Sequence, residues 1–199
     1  MNPEKLAPAA AIAVLVIFFV GGIVLLLRHK KKIRETWRAF AQAHGLTLSE
    51  GAYSNVTGQI DGRAFSMGVG AGRAAAGRPN VQRVVQFTIT AEVKGVALAG
   101  LIGGKRGAFQ AAGNVQTGDA QFDREIWVQC SDVEAAIAYL TPEHKKALRE
   151  VAALGAVLLG PSQGESARLS RAQTGYKVNL KWLEAQRTAF LATAKDLDA

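Results

Sequence analysis

From Leu6 to Leu27 the chain carries no charge and no side-chain hydrogen-bonding group. At about 1.5 Å per residue a helix over this run is roughly 33 Å long, close to the hydrocarbon thickness of a bilayer, so the pattern predicts a transmembrane helix over 6–27. The chain then turns densely basic over 28–34, RHKKKIR, and amphipathic from Ile33 onward. Ile33, Trp37, Phe40, Ala41 and His44 share one face of a helix. Gly45 suits a left-handed cap, with Leu46 placed to pack back on Ala41 or Phe40. No proline separates Leu27 from His44, so the span is expected to continue into this helix as one rod.

The texture changes at Thr47. Short alternating runs, TLSE, VTGQI, RAFSMGV and RVVQFTITAEV, predict three or four strands, and the Asp61-Gly62 pair predicts a tight hairpin. Glycine and alanine dominate 68–80, GVGAGRAAAGRPN, which reads as a loop. The stretch 95–107, GVALAGLIGGKRG, reads as a loop or a short apolar helix against the bilayer, too short to span. Further on, 109–116 and 125–130 read as strands. Ser131 and Glu134 form a capping box for a helix to Leu140, and Thr141-Pro142 opens another to about Leu154. AVLLG and SARLSRA read as strands around a PSQGE turn, and 178–197 as a helix with Leu180, Leu183, Phe190, Leu191, Ala194 and Leu197 inward. Strands and helices mix without regular βαβ order, which predicts one α+β domain over 35–199, with Phe87, Ile89, Trp127, Val128, Leu148 and Leu183 in its core.

Charge supplies the orientation. Of a net +8, five positives are Arg28, Lys30, Lys31, Lys32 and Arg34. Set against Lys5 before the span, they place the amino terminus outside and the domain in the cytoplasm, because basic residues flanking a span stay on the cytoplasmic side. A signal peptide would need its positives first and a small-residue cleavage site after a shorter run, and this order is the reverse. The same block can hold anionic headgroups, at about 1 kcal/mol per basic residue near a charged leaflet. A second basic excess, with Arg73, Arg78, Arg83, Lys105 and Arg106, reads as loop charge or as a face turned to that leaflet. Cys130 is the only cysteine, which excludes an intrachain disulfide and a cysteine zinc site and fits a reducing compartment.

The anchor, WRAFAQAHGL from Trp37, and TGDAQFDREIWVQCSDVEAAIAYLTPEHKKAL from Thr117 to Leu148 together resemble an uncharacterised type of bacterial single-pass membrane protein, over about a third of the chain. The resemblance implies a bacterial inner-membrane setting and carries no catalytic motif.

Candidate chemistry is sparse. GPSQG at 160–164 matches the G-x-S-x-G nucleophile elbow, with Ser162 as the nucleophile of a membrane-bound serine hydrolase, but such enzymes place the histidine after the serine and none follows His144. A glycine-rich turn explains it better. The glycines around Lys105 and at Gly68, Gly70 and Gly72 miss the spacing of phosphate loops. His29, His44 and His144 have no partner at ligand spacing, and Asp119, Asp123 and Glu125 match no calcium loop, so no metal site and no cofactor are expected. Trp37, Trp127 and Trp182 lie in separate elements and read as packing residues, with no nucleic-acid face. The sequence thus predicts a non-enzymatic domain at the bacterial inner membrane. Its expected partners are the lipid bilayer, anionic headgroups and an unidentified protein.

Overall fold

A computed structural model describes residues 3–51, 53–73, 83–95, 102–105, 114–161, 166–174 and 178–199. Side chains are described in the first helix from Phe19 onward, and not for residues 50, 71–73, 83–84, 102–103, 105 and 161. The rod expected from the lack of a breaking proline is present as α1 (Pro3–Ala43). Its end is the predicted glycine cap. Gly45 has φ +62°, and the Leu46 N–H donates to the Ala41 carbonyl at 2.8 Å, the six-to-one bond of a Schellman turn. Trp37, Phe40 and Ala41 are buried and Leu46 closes against them.

The expected span 6–27 falls partly outside the described side chains. From Phe19 to Leu27 the helix projects bare of partners, with Phe19 71% and Leu25 67% exposed. Among the described residues no helix is long and apolar enough to cross a membrane.

The alternating runs form one antiparallel sheet: β1 (Thr47–Glu50), β2 (Ser54–Ile60), β3 (Arg63–Arg73), β4 (Arg83–Lys94), β5 (Ile102–Lys105), β6 (Ile126–Gln129), β7 (Ala156–Pro161) and β8 (Ser166–Gln173). Their spatial order is β1-β2-β3-β4-β8-β7-β5-β6. The first four strands are a meander, and β8 attaches the second half to β4. The Asp61-Gly62 hairpin is as predicted, both residues having positive φ, which is the type I′ geometry that matches strand twist.

Helices α2 (Ala120–Glu125), α3 (Val133–Tyr139), α4 (Pro142–Ala153) and α5 (Leu180–Asp196) join the last turns of α1 on one face of the sheet. Strand alternation puts a continuous row, Val56, Met67, Ile89, Arg171 and Val157, under them. The opposite face carries Thr57, Ser66, Thr90 and Ser170 in register, small polar residues suited to solvent. The result is a two-layer α+β domain, the predicted class.

Several local expectations are corrected. Gly68–Arg73 is not loop but the second half of β3, because Gly68 pairs with both β2 and β4 and Gly70 and Gly72 pair with β4, so the ladder supplies what side chains do not; the rest of the expected loop, 74–80, lies outside the described residues. Ile102–Lys105 is neither loop nor helix but β5, held between β6 and β7. Gln116 is outside any strand, and residues 106–113 lie outside the described set. Asp132, not Ser131, caps α3. The short α2 was unforeseen, and Asp119 caps it by accepting from the Gln121 and Phe122 N–H groups. Leu180 is 44% exposed, whereas Leu183, Phe190, Leu191, Ala194 and Leu197 are buried as predicted. Of the predicted core, Phe87, Ile89, Val128, Leu148 and Leu183 join the main cluster. Trp127 is buried too, but alternation turns it to the other face, over Gly104.

Candidate functional site

The amphipathic part of α1 meets the sheet along Lys30, Ile33, Arg34 and Trp37, at i, i+3, i+4 and i+7, one face of the helix. There it roofs a cavity of about 380 Å³, at the low end of the range for ligand pockets. Gly51, Tyr53 and Ser54, from the β1–β2 connection and the start of β2, form one wall. Val69 of β3 and Val178 before α5 form the other. Ile33, Val69 and Val178 are half-buried against the core and give it an apolar strip, while the lining as a whole is nearly half polar. Lys30 and Arg34 are exposed and make its rim basic. Trp37 is fully buried, and its indole N–H has no hydrogen-bond partner among the described residues. An unpaired buried donor costs about 1–3 kcal/mol, and this one is closed off from the cavity by the packing around it.

The helix divides the predicted basic block. Lys30 and Arg34 face the cavity, while Arg28 and Lys32 fall on the opposite side of α1. Lys31 sits 3.9 Å from Glu35, an exposed pair of small consequence. The second basic region is brought to the same end of the domain. Leu46, past the end of α1, packs at the level of Gly58 in β2, and the cavity lies at Ser54 and Val69, nearer the point where α1 leaves. β3 continues past Val69 in that direction to Arg73, which pairs with Arg83 at the start of β4. Arg78 and Arg106 lie outside the described residues, and Lys105 ends β5.

Other candidates have structural roles. His44 bonds Glu184 at 2.7 Å and joins α1 to α5. Burial would raise the Glu184 carboxyl, but hydrogen bonds from His44 and Arg187 outweigh it and hold it below its ordinary value. The His144 ring contacts the Tyr139 carbonyl inside the α3–α4 turn. Cys130 is buried, and its N–H and carbonyl are both bonded by Asn114. Asp123 accepts from the Thr117 N–H and hydroxyl, closing the loop before α2. Among the described residues no group of three His, Cys, Asp or Glu side chains could hold a metal. Ser162 lies outside the described residues.

Two polar features escaped the sequence. Arg171, 1% exposed in the middle of β8, bonds Gln186 and lies 5.6 Å from the Phe190 ring, with no carboxylate among its described partners. Burial pushes its guanidinium below the usual arginine value. Arg63 and Asp198 form an ion pair that holds the segment after α5 over the end of the β3–β4 pair, where β3 begins and β4 finishes. Neither has a local signature, because each depends on strands and helices distant in sequence.

No family model matches the chain, and no curated protein matches it. Among solved structures, the crystal structure of the mycobacterial trehalose monomycolate transport factor A, TtfA, superposes with a TM-score of 0.48 and 14% sequence identity, over 83% of this chain and 93% of that one.

Proposed function

We propose that this chain is a single-pass protein of a bacterial inner membrane. Leu6–Leu27 is its anchor, its amino terminus lies outside, and its α+β domain is cytoplasmic and acts without catalysis, by binding anionic lipid or a protein partner at the membrane surface. The observation that carries the reading is the continuity of α1, in which one unbroken helix passes from a bare apolar stretch through the basic block into the buried Trp37 and Phe40 face. Such a helix has no joint, so it would hold the domain at a fixed height and rotation. The end bearing Lys30, Arg34, Arg73 and Arg83 would then be nearest the leaflet. Neutralisation of headgroups by that end is the interaction the charges support.

A reporter fused after Ala199 tests the topology. It is expected to be active only in the cytoplasm, and the intact chain is expected to stay in the membrane fraction through alkaline extraction. Extraction into the soluble fraction, or periplasmic reporter activity, would sink the proposal.

A further inference from the structure

We infer that the open edge of β3 from Val69 onward is a docking site for an extended, acidic segment of a protein partner, which adds to the sheet as a strand in the place that β2 leaves at Ser54. The inference rests on the proposed binding role at the membrane surface and deepens it by naming a seat and the chemistry of what fills it.

The sheet is uneven at the end where α1 leaves it. β1 and β2 both stop there, with Glu50 paired to Ser54, while β3 and β4 run on together until Arg73 pairs with Arg83. β3 last pairs with β2 at Gly68, so from Val69 to Arg73 no described strand lies on that side, over about 13 Å at roughly 3.3 Å per residue. The register sets where the free groups point. A two-residue turn closes on a hydrogen-bonded pair, here Ile60 and Arg63, so the odd-numbered residues of β3 address β2 and the even-numbered ones address β4. The Ala64 N–H fits this phase, since it donates to Glu92 of β4. Val69, Ala71 and Arg73 therefore turn their N–H and C=O groups to the vacated side, where an added strand is the complement. The groove beside α1 opens onto the first of them, with Tyr53 and Ser54 at one end and Lys30, Ile33 and Arg34 along the helix. Its mixed lining suits a peptide, whose backbone takes the polar edge and whose alternate side chains meet the apolar strip and the cations. Charge selects the occupant. Lys30 and Arg34 flank the edge, Arg73 ends it, and no acid is among the residues that line the groove, so acidic side chains fit there. A second copy of this chain pairing edge to edge would set the same cations against each other.

The test uses the full chain in phosphatidylcholine nanodiscs and a fluorescein-labelled peptide of about eight residues, threonine alternating with valine or glutamate, with binding read by anisotropy. Saturable binding is expected, and the same peptide with lysine for glutamate should bind roughly tenfold more weakly. Ala71→Pro deletes an N–H that faces the vacated side and leaves the β3–β4 ladder its bonds, so it should abolish binding while near-ultraviolet dichroism stays native. The peptide itself asks the same question without altering the protein. N-methylation at valine and glutamate, whose N–H groups face β3 in antiparallel addition, is expected to abolish binding, and N-methylation at threonine to spare it. Replacing both Lys30 and Arg34 by glutamate should turn the preference towards the lysine peptide. No binding, equal binding of the two peptides, binding by a folded Ala71→Pro protein, or indifference to which residues are methylated would overturn the site. So would complete loss of binding when phosphatidylglycerol replaces phosphatidylcholine, since headgroups would then be the occupant. Self-association of the chain that Ala71→Pro abolishes would overturn it too, by giving the edge to a second copy. A periplasmic domain would sink the proposed role and leave a measured peptide site standing, whereas the proposed topology without peptide binding would sink only this site.

Discussion

Asp198→Asn removes one charge from the clasp that ends the chain. In the native fold Asp198 accepts from both terminal nitrogens of Arg63, one at 2.7 Å, and from the Lys94 N–H at 2.8 Å. Around it the Ala199 N–H donates to the Lys94 carbonyl, the Tyr139 hydroxyl donates to the Leu197 carbonyl at 2.6 Å, and Leu197 is fully buried. The Arg63 side chain is 10% exposed and that of Asp198 26%. The pair is therefore worth more than the 0–1 kcal/mol of a surface bridge, and less than the 3–5 kcal/mol lost when a fully buried pair is broken. About 2–3 kcal/mol follows, or roughly 4–12 °C in Tm for a domain of this size. Near-ultraviolet circular dichroism of the full chain in uncharged detergent reads the melt. Burial raises the Asp198 carboxyl, but Arg63 and the Lys94 N–H outweigh it and hold its folded value below 3.8. A carboxylate depressed in the folded state stabilises above its unfolded pKa and loses that contribution as pH falls through the folded value. The gap between native protein and Asp198→Asn should thus be constant from pH 8 to about pH 5 and close below about pH 4. Replacing both Arg63 and Asp198 by leucine should recover much of the loss, because no charge is then left buried and unpaired. A Tm change under about 2 °C for Asp198→Asn, or a gap that does not close in acid, would refute the assignment.

Two further substitutions probe the core. Arg171→Met removes a buried cation with no described carboxylate partner and keeps the apolar stem, so stability is expected within about 1 kcal/mol of native or higher, and a Tm drop of more than about 5 °C would show that the guanidinium is compensated. Gly155→Ala would set a Cβ 2.5 Å from the Ala172 carbonyl oxygen at the α4–β7 junction, and a loss of about 1–3 kcal/mol in a denaturant melt is expected, where ordinary helix-to-strand connections tolerate alanine.

Local chemistry was the legible part of this protein. The Gly45 cap, the Asp61-Gly62 hairpin and the Thr141-Pro142 helix start are written within a few residues each, and all three are where the sequence puts them. Periodicity found Trp37, Phe40, Phe87 and Ile89 as inward residues. It failed where pairing overrides composition. Glycines in β3 and β5 read as loop, yet they sit in strands whose neighbours complete the ladder. The candidate site was half legible. Lys30 and Arg34 stood out as charge, but which two of five basic residues line a cavity depends on Val69, Ser54 and Val178, brought to α1 only by the folded sheet.

The sheet order also sets a timetable. β1 to β4 are consecutive hairpins whose contacts are local and can form early, but the free edge of β4, bearing Phe87 and Ile89, waits for β8, with Lys94 paired to Ser166. At about 5–20 residues per second, the roughly 70 residues between them take on the order of 4–14 s to synthesise. Through that interval the meander presents β4 as an open, apolar template for another nascent chain. The short four-residue strands β1 and β6 that bound the finished sheet offer no such surface. Substitutions that delay β8 should therefore appear first as aggregation during synthesis, before they show in the stability of the folded protein.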